Sequence, residues 1–130
     1  MSTLTATLQM SYGDSTPTGV NIPARQTLTF TLAYTQESAK TVLVPAASTD
    51  FPVLLDTIGD PKFLFLQSLD VDVTVKLSDG VVATPTPTAL AGGSGWVLVA
   101  NPNGQAIDRV LITAPASPVT GAHIQILAFA

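Results

Sequence analysis

The sequence predicts an all-β fold, a single β-sandwich, either jelly-roll-like or a partly open barrel, of about eight or nine antiparallel strands. Three observations predict it. Segment after segment alternates apolar and polar residues with a period of two, as a strand with one buried face requires. Clusters of Gly, Pro, Asn and Asp separate these segments. No stretch sustains a helical period. The 130 residues suit one domain with a proper core, here residues 1–130, with an N-terminal strand or arm over 1–12 and a long loop over 81–94.

The first strand is read at Thr3–Met10, where Leu4, Ala6, Leu8 and Met10 alternate with Thr3, Thr5, Thr7 and Gln9. β-Branched threonines suit the outer face of a strand. Tyr12–Gly19 is a loop by composition. In the second strand, Arg25–Thr35, Leu28, Phe30, Leu32 and Tyr34 form a core-facing row against a row of threonines. Thr41–Val44 is a short strand stopped by Pro45. Ala46–Asp60 reads as an irregular crossover anchored by Phe51, Leu54 and Leu55. A short helix from Phe51 to Thr57, with Pro52 in its first turn, and a strand at Pro52–Leu55 are both open there.

The strongest pattern is Phe63–Leu77. Phe63-Leu64-Phe65-Leu66 is apolar at every position and suits a strand covered on both faces. From Leu69, the row Leu69, Val71, Val73, Val75 and Leu77 alternates with Asp70, Asp72, Thr74, Lys76 and Ser78. The two runs are expected to form an antiparallel hairpin that ends at Asp79-Gly80. Pro85 and Pro87 make the following stretch a surface arm or sheet edge, because proline cannot donate to a ladder. Gly92-Gly93-Ser94-Gly95 is a flexible turn into the strand Gly95–Ala100. Asn101-Pro102-Asn103-Gly104 is a turn, and Ile107–Thr113 and Ala122–Phe129 are the closing strands.

Composition narrows the function. The chain is 46% hydrophobic and 11% charged, against a usual charged share of about 25%. No apolar run approaches the roughly 20 residues that span a bilayer, so no membrane partner is expected. The net charge is −4, and the five basic residues are scattered, so no nucleic-acid partner is expected either. With no cysteine there are no disulfides, thiolate nucleophiles or zinc–thiolate sites. A weakly charged surface resists association poorly and is expected to be covered by partners.

No catalytic, cofactor or metal site is read from the residues. The single histidine, His123, reads as an exposed strand residue, and no serine stands in a nucleophile setting for it. Asp70 and Asp72 share a strand face and could offer oxygens to Ca²⁺, but no calcium-loop pattern follows and Lys76 is available to balance their charge. The single glutamate, Glu37, lies in a polar connection, which argues against a paired-carboxylate glycosidase. Trp96 and Tyr12 are the aromatics that alternation leaves for a glycan platform, with a core or subunit-interface role favoured for Trp96. The candidate interface is therefore Asp70, Asp72, Thr74 and Lys76, with Trp96 and Tyr12.

The segments Lys62–Ser68, Val71–Gly80, Gly92–Ala100, Ile107–Thr113 and Ala122–Leu127, in that order, resemble β-sandwich structural proteins of tailed-bacteriophage virions. The likeness runs from about Thr27 to the end of the sequence. It implies a non-enzymatic particle component assembled in the host cytoplasm: a capsid decoration (cement) protein, or a neck, tail or baseplate protein. The implied partners are copies of the chain itself, with trimers at capsid three-fold positions as one arrangement, and the major capsid protein. A carbohydrate- or receptor-binding module is the reading from a different class. Met1-Ser2-Thr3-Leu4-Thr5 lacks the basic and apolar regions of a secretion signal, in keeping with a cytoplasmic product.

Overall fold

The computed structural model describes residues 2–11, 25–55, 58, 60–83, 87–100, 106–116 and 120–130. Within them are ten strands, all paired antiparallel, in two four-stranded sheets plus a two-stranded hairpin. The chain divides into two compact units, Met1–Tyr34 and Thr35–Ala130.

The first unit is the hairpin of β1 (Ser2–Ser11) and β2 (Arg25–Tyr34). Its register sets Leu4 opposite Leu32, Ala6 opposite Phe30 and Leu8 opposite Leu28. The alternate pairs, Thr5 with Thr31 and Thr7 with Thr29, form a threonine ladder on the other face. The large row of β2 was expected to face the sandwich core. In register it lies beside the apolar row of β1, so the two rows share one face of the hairpin.

The second unit holds β3 (Glu37–Val44), β4 (Phe51–Leu54), β5 (Phe63–Ser68), β6 (Val73–Ser78), β7 (Thr88–Leu90), β8 (Trp96–Ala100), β9 (Arg109–Thr113) and β10 (Ala122–Phe129). Their pairing is nested. β3 pairs with β10, β4 with β9, β5 with β8 and β6 with β7. These are the rungs of one long antiparallel hairpin. Rolling it brings β10 beside β5 and β9 beside β6. The result is a first sheet ordered β3-β10-β5-β8 and a second ordered β4-β9-β6-β7, which is jelly-roll connectivity.

Alternation then builds the core. Val44, Leu64, Leu66, Ile124, Ile126 and Ala128 line the inner face of the first sheet, and Val53, Val73, Val75, Leu90, Val110 and Ile112 that of the second. Lys40 lies on the inward row opposite Ile126, and its Nζ donates to the Leu54 carbonyl at 2.6 Å, tying β3 to β4 across the sandwich margin. Its aliphatic stem covers apolar surface while the amine reaches a polar partner.

Several expectations are corrected. Phe63–Leu77 is not a hairpin. β5 is a central strand whose two edges are taken by β10 and β8, so β6 crosses to the other sheet. Nor is Leu69–Leu77 one strand: residues 69–72 form the crossing, and β6 begins at Val73. Phe63, Leu64 and Leu66 are buried, whereas Phe65 faces outward and is only partly covered. The stretch before the Phe63 strand contains β4 rather than a helix, and Pro52 is tolerated because β4 is an edge. The stretch expected to be a surface arm or sheet edge does hold an edge strand, β7, and Ala83 bridges to Ser78. The loop around Gly13–Gly19, the turn at residues 101–104, and Pro85, Asp56 and Gly59 lie outside the described residues.

Leu66→Ala, at a side chain with no exposure in the middle of the first sheet, is expected to cost about 2–5 kcal/mol in urea unfolding. Leu98→Ala, on the outer face, should cost under about 1 kcal/mol.

Candidate functional site

The jelly-roll connectivity gathers the connections at residues 45–50, 69–72 and 91–95, and the described parts of the last one, 114–116 and 120–121, at one end. Backbone bonds join the first to the last: the Ala47 amide donates to the Pro115 carbonyl at 2.9 Å, and the Ala114 amide to the Ser48 carbonyl at 3.0 Å. The 69–72 crossing is fastened on two sides. Asp72 Oδ1 accepts the Gly92 amide at 2.8 Å, and the Gly93 amide donates to the Ser68 carbonyl at 3.2 Å. A Cβ on Gly92 would stand 2.6 Å from both the Asp70 carbonyl oxygen and the Val71 Cα. The glycine run was expected to be a flexible turn. It is instead pressed against the crossing, closer than any side chain permits.

On the other side, Asp70 holds the start of β10. One carboxylate oxygen accepts the His123 amide at 3.0 Å, and the other lies 2.6 Å from His123 Nδ1. The Leu69 amide completes the junction by donating to the His123 carbonyl at 2.9 Å. The hydrogen bond from the His123 ring holds the Asp70 carboxyl below its ordinary value of 3.8, and the His123 amide adds to this against the opposing effect of burial. Both side chains remain partly open to solvent.

A carboxylate that orients a histidine is half of a hydrolytic triad, and the other half is a nucleophile at the imidazole. Ser48 and Ser68 direct their hydroxyls to the carbonyls of Pro45 and Val71, and the Ser78 hydroxyl accepts the Gly80 amide. Among the described residues no group of three His, Asp or Glu side chains is placed to hold a metal ion. At the opposite end of the sandwich, the Asp79 carboxylate accepts the Val81 and Val82 amides, which lower its pKa, and Asp108 pairs with Arg109 at 2.8 Å. The Asp79 arrangement secures the turn after β6.

The candidate interface residues do not share one surface. Asp70 turns toward the first sheet and His123, and Asp72 caps the glycine turn. Thr74 lies on the outer face of the second sheet, beside Thr113 and Ala89, where these residues and Asp72 line an open groove of about 480 Å³. Lys76 does not balance Asp70 or Asp72. It pairs with Asp50 at 3.1 Å, a residue held in the left-handed region at φ 49°. Tyr12 lies outside the described residues. Trp96 is on the outer face of the first sheet, 47% exposed and stacked on Phe65 with ring centroids 6.2 Å apart. It is not a core tryptophan.

That outer face is a broad, weakly charged surface. Cross-strand rows place Thr41, Gln125, Gln67 and Trp96 side by side, and Ala39, Leu127, Phe65 and Leu98 beside them. Leu43 is 52% exposed opposite His123. Glu37 lies at one margin of this face, and the Asp70 carboxylate reaches it at His123. Phe65, Leu98 and Leu43 were missed from sequence because their common face depends on the order of strands. Comparison of the chain with protein-family models, curated protein sequences and solved structures gives no match.

Two outcomes are expected. Asp70→Asn removes a carboxylate that folding favours in its charged form. Its contribution is present above pH 3.8 and lost as pH falls through the lower folded value. The variant should be less stable than the parent near pH 6 by about 1 kcal/mol, since the pair is solvent-screened, and the gap should narrow in urea titrations as the pH falls below 3.8. Gly92→Ala should cost about 1–3 kcal/mol, because backbone must move to admit the methyl group.

Proposed function

We propose that the chain is a non-enzymatic structural protein of a tailed-bacteriophage particle, a capsid decoration protein that seats on neighbouring major capsid subunits and works as a homo-oligomer. The observation that carries this reading is the outer face of the first sheet. Trp96 on Phe65, with Leu98 and Leu43, offers exposed apolar area on a sheet whose inner side is rigidly packed. Aromatic anchors within a weakly charged surface are the composition of protein interfaces. A jelly roll also suits shell proteins, because a closed sandwich presents broad faces at little cost in mobile loops. A neck, tail or baseplate position would use the same face.

The exposed Trp96–Phe65 pair favours one further reading, a carbohydrate-binding module. Jelly rolls also serve lectins, and a stacked aromatic platform suits a sugar ring.

The purified chain should co-sediment with phage capsids that lack it and saturate at a fixed number of copies per capsid. Trp96→Ala should weaken that binding roughly 30-fold or more, the size of a hot-spot loss of about 2 kcal/mol. A folded chain that never co-sediments overturns the decoration reading. A saturable shift of Trp96 fluorescence with one member of a glycan panel would favour the lectin reading in its place.

A further inference from the structure

The strand edges are guarded unequally. β4 carries Pro52, β7 has 3 residues, and β3 carries Glu37 and Lys40. Each feature discourages pairing with another chain. β8 is uncharged but has only 5 residues. The two hairpin strands are the longest edges, and β2 opens on Arg25 whereas the 10 residues of β1 contain no charge and no proline. Its partner β2 takes one edge, and among the described residues no strand is bonded to the other. The hairpin is a sheet of two strands, fewer than the three or so that independent stability requires.

We propose that β1 is an assembly edge that pairs antiparallel with β1 of a second copy, giving a four-stranded sheet ordered β2-β1-β1′-β2′. Three features select a second copy. Two chains of net charge −4 repel over much of their surface, and β1 is a long segment where no charge opposes their approach. Ten residues meet ten, so neither strand overhangs when the pair is centred. A two-fold axis normal to the sheet keeps residues of like parity opposite one another, as when Ala6 faces Ala6 of the other copy. Leu4, Ala6 and Leu8 of both copies then continue one apolar face, and the threonines continue the other. This deepens the assembly reading without requiring a capsid.

The chain has no cysteine, so single-cysteine variants of the full chain report the register directly. Thr3, Thr5, Ala6, Thr7 and Gln9 are each replaced by Cys and oxidised, with Thr29→Cys on β2 as the comparison. Covalent dimers should peak at one or two neighbouring β1 positions and be absent for Thr29→Cys. The double variant Thr5→Lys/Thr7→Lys sets like charges across the new pair. It should raise the dimer dissociation constant in sedimentation about tenfold or more while Trp96 fluorescence stays unchanged. A chain that is monomeric at all soluble concentrations, cross-links at Thr29→Cys, or a Lys variant that dimerises as the parent does overturns the proposal. Open-ended polymers, the product of β1 adding to β2 of the next copy, overturn it as well. A dimer that binds no capsid counts against the decoration reading alone, and a monomer that binds capsids counts against this one alone.

Discussion

Central placement of β10 is the constraint on which the sandwich depends. β10 pairs with β3 along one side and β5 along the other, and Ala122, Ile124, Ile126 and Ala128 have no exposure at all. Ile124 lies opposite Val42, so the first sheet closes only when two distant parts of the chain meet. Such pairing carries its loop-closure entropy before apolar burial compensates for it. Once β3 and β10 are joined, the connected strands β4 and β9 are delivered together to the second sheet, and the nested order follows.

The loops at the 69–72 end are held by polar groups that serve the backbone. Asp70 and Asp72 satisfy amides of β10 and the glycine turn, and the close approach at Gly92 leaves no space between the two loops. The open groove at this end is lined by Asp72, Ala91, Ala114 and Pro115 of these loops together with Thr74 and Thr113 of the second sheet. Exposed apolar area on the first sheet's outer face centres on Trp96, Phe65, Leu98 and Leu43, while Val81, Val82 and Leu54 are exposed elsewhere. Broad rigid faces suit contact with large partners, which is the physical content of the assembly reading.

Much of the fold was legible because alternation is a local property. The faces of β9 and β10, the threonine rows of the hairpin and the position of Gly95–Ala100 follow from side chains that alternate across a pleat. The failures have a common cause. Phe63–Leu77 alternates as a hairpin would, yet a strand with both edges occupied cannot pair with its sequence neighbour. Pro52 obscured β4, because proline is acceptable both in a first helical turn and on an edge strand. The Asp70–His123 contact joins residues far apart in sequence, and no spacing rule could announce it.

By itself the sequence determined the class of fold, the alternating rows of strands such as β6 and β10 and the scarcity of charge, since each is a property of neighbouring residues or of composition. The tertiary structure alone decided which strands are neighbours, and therefore that Phe65, Trp96 and Leu98 form one outward surface while Asp70 and Lys76 point to different partners. The physical reason is that alternation fixes which way a side chain points relative to its own strand, whereas a shared surface requires pairing whose free energy is spread over the whole sheet.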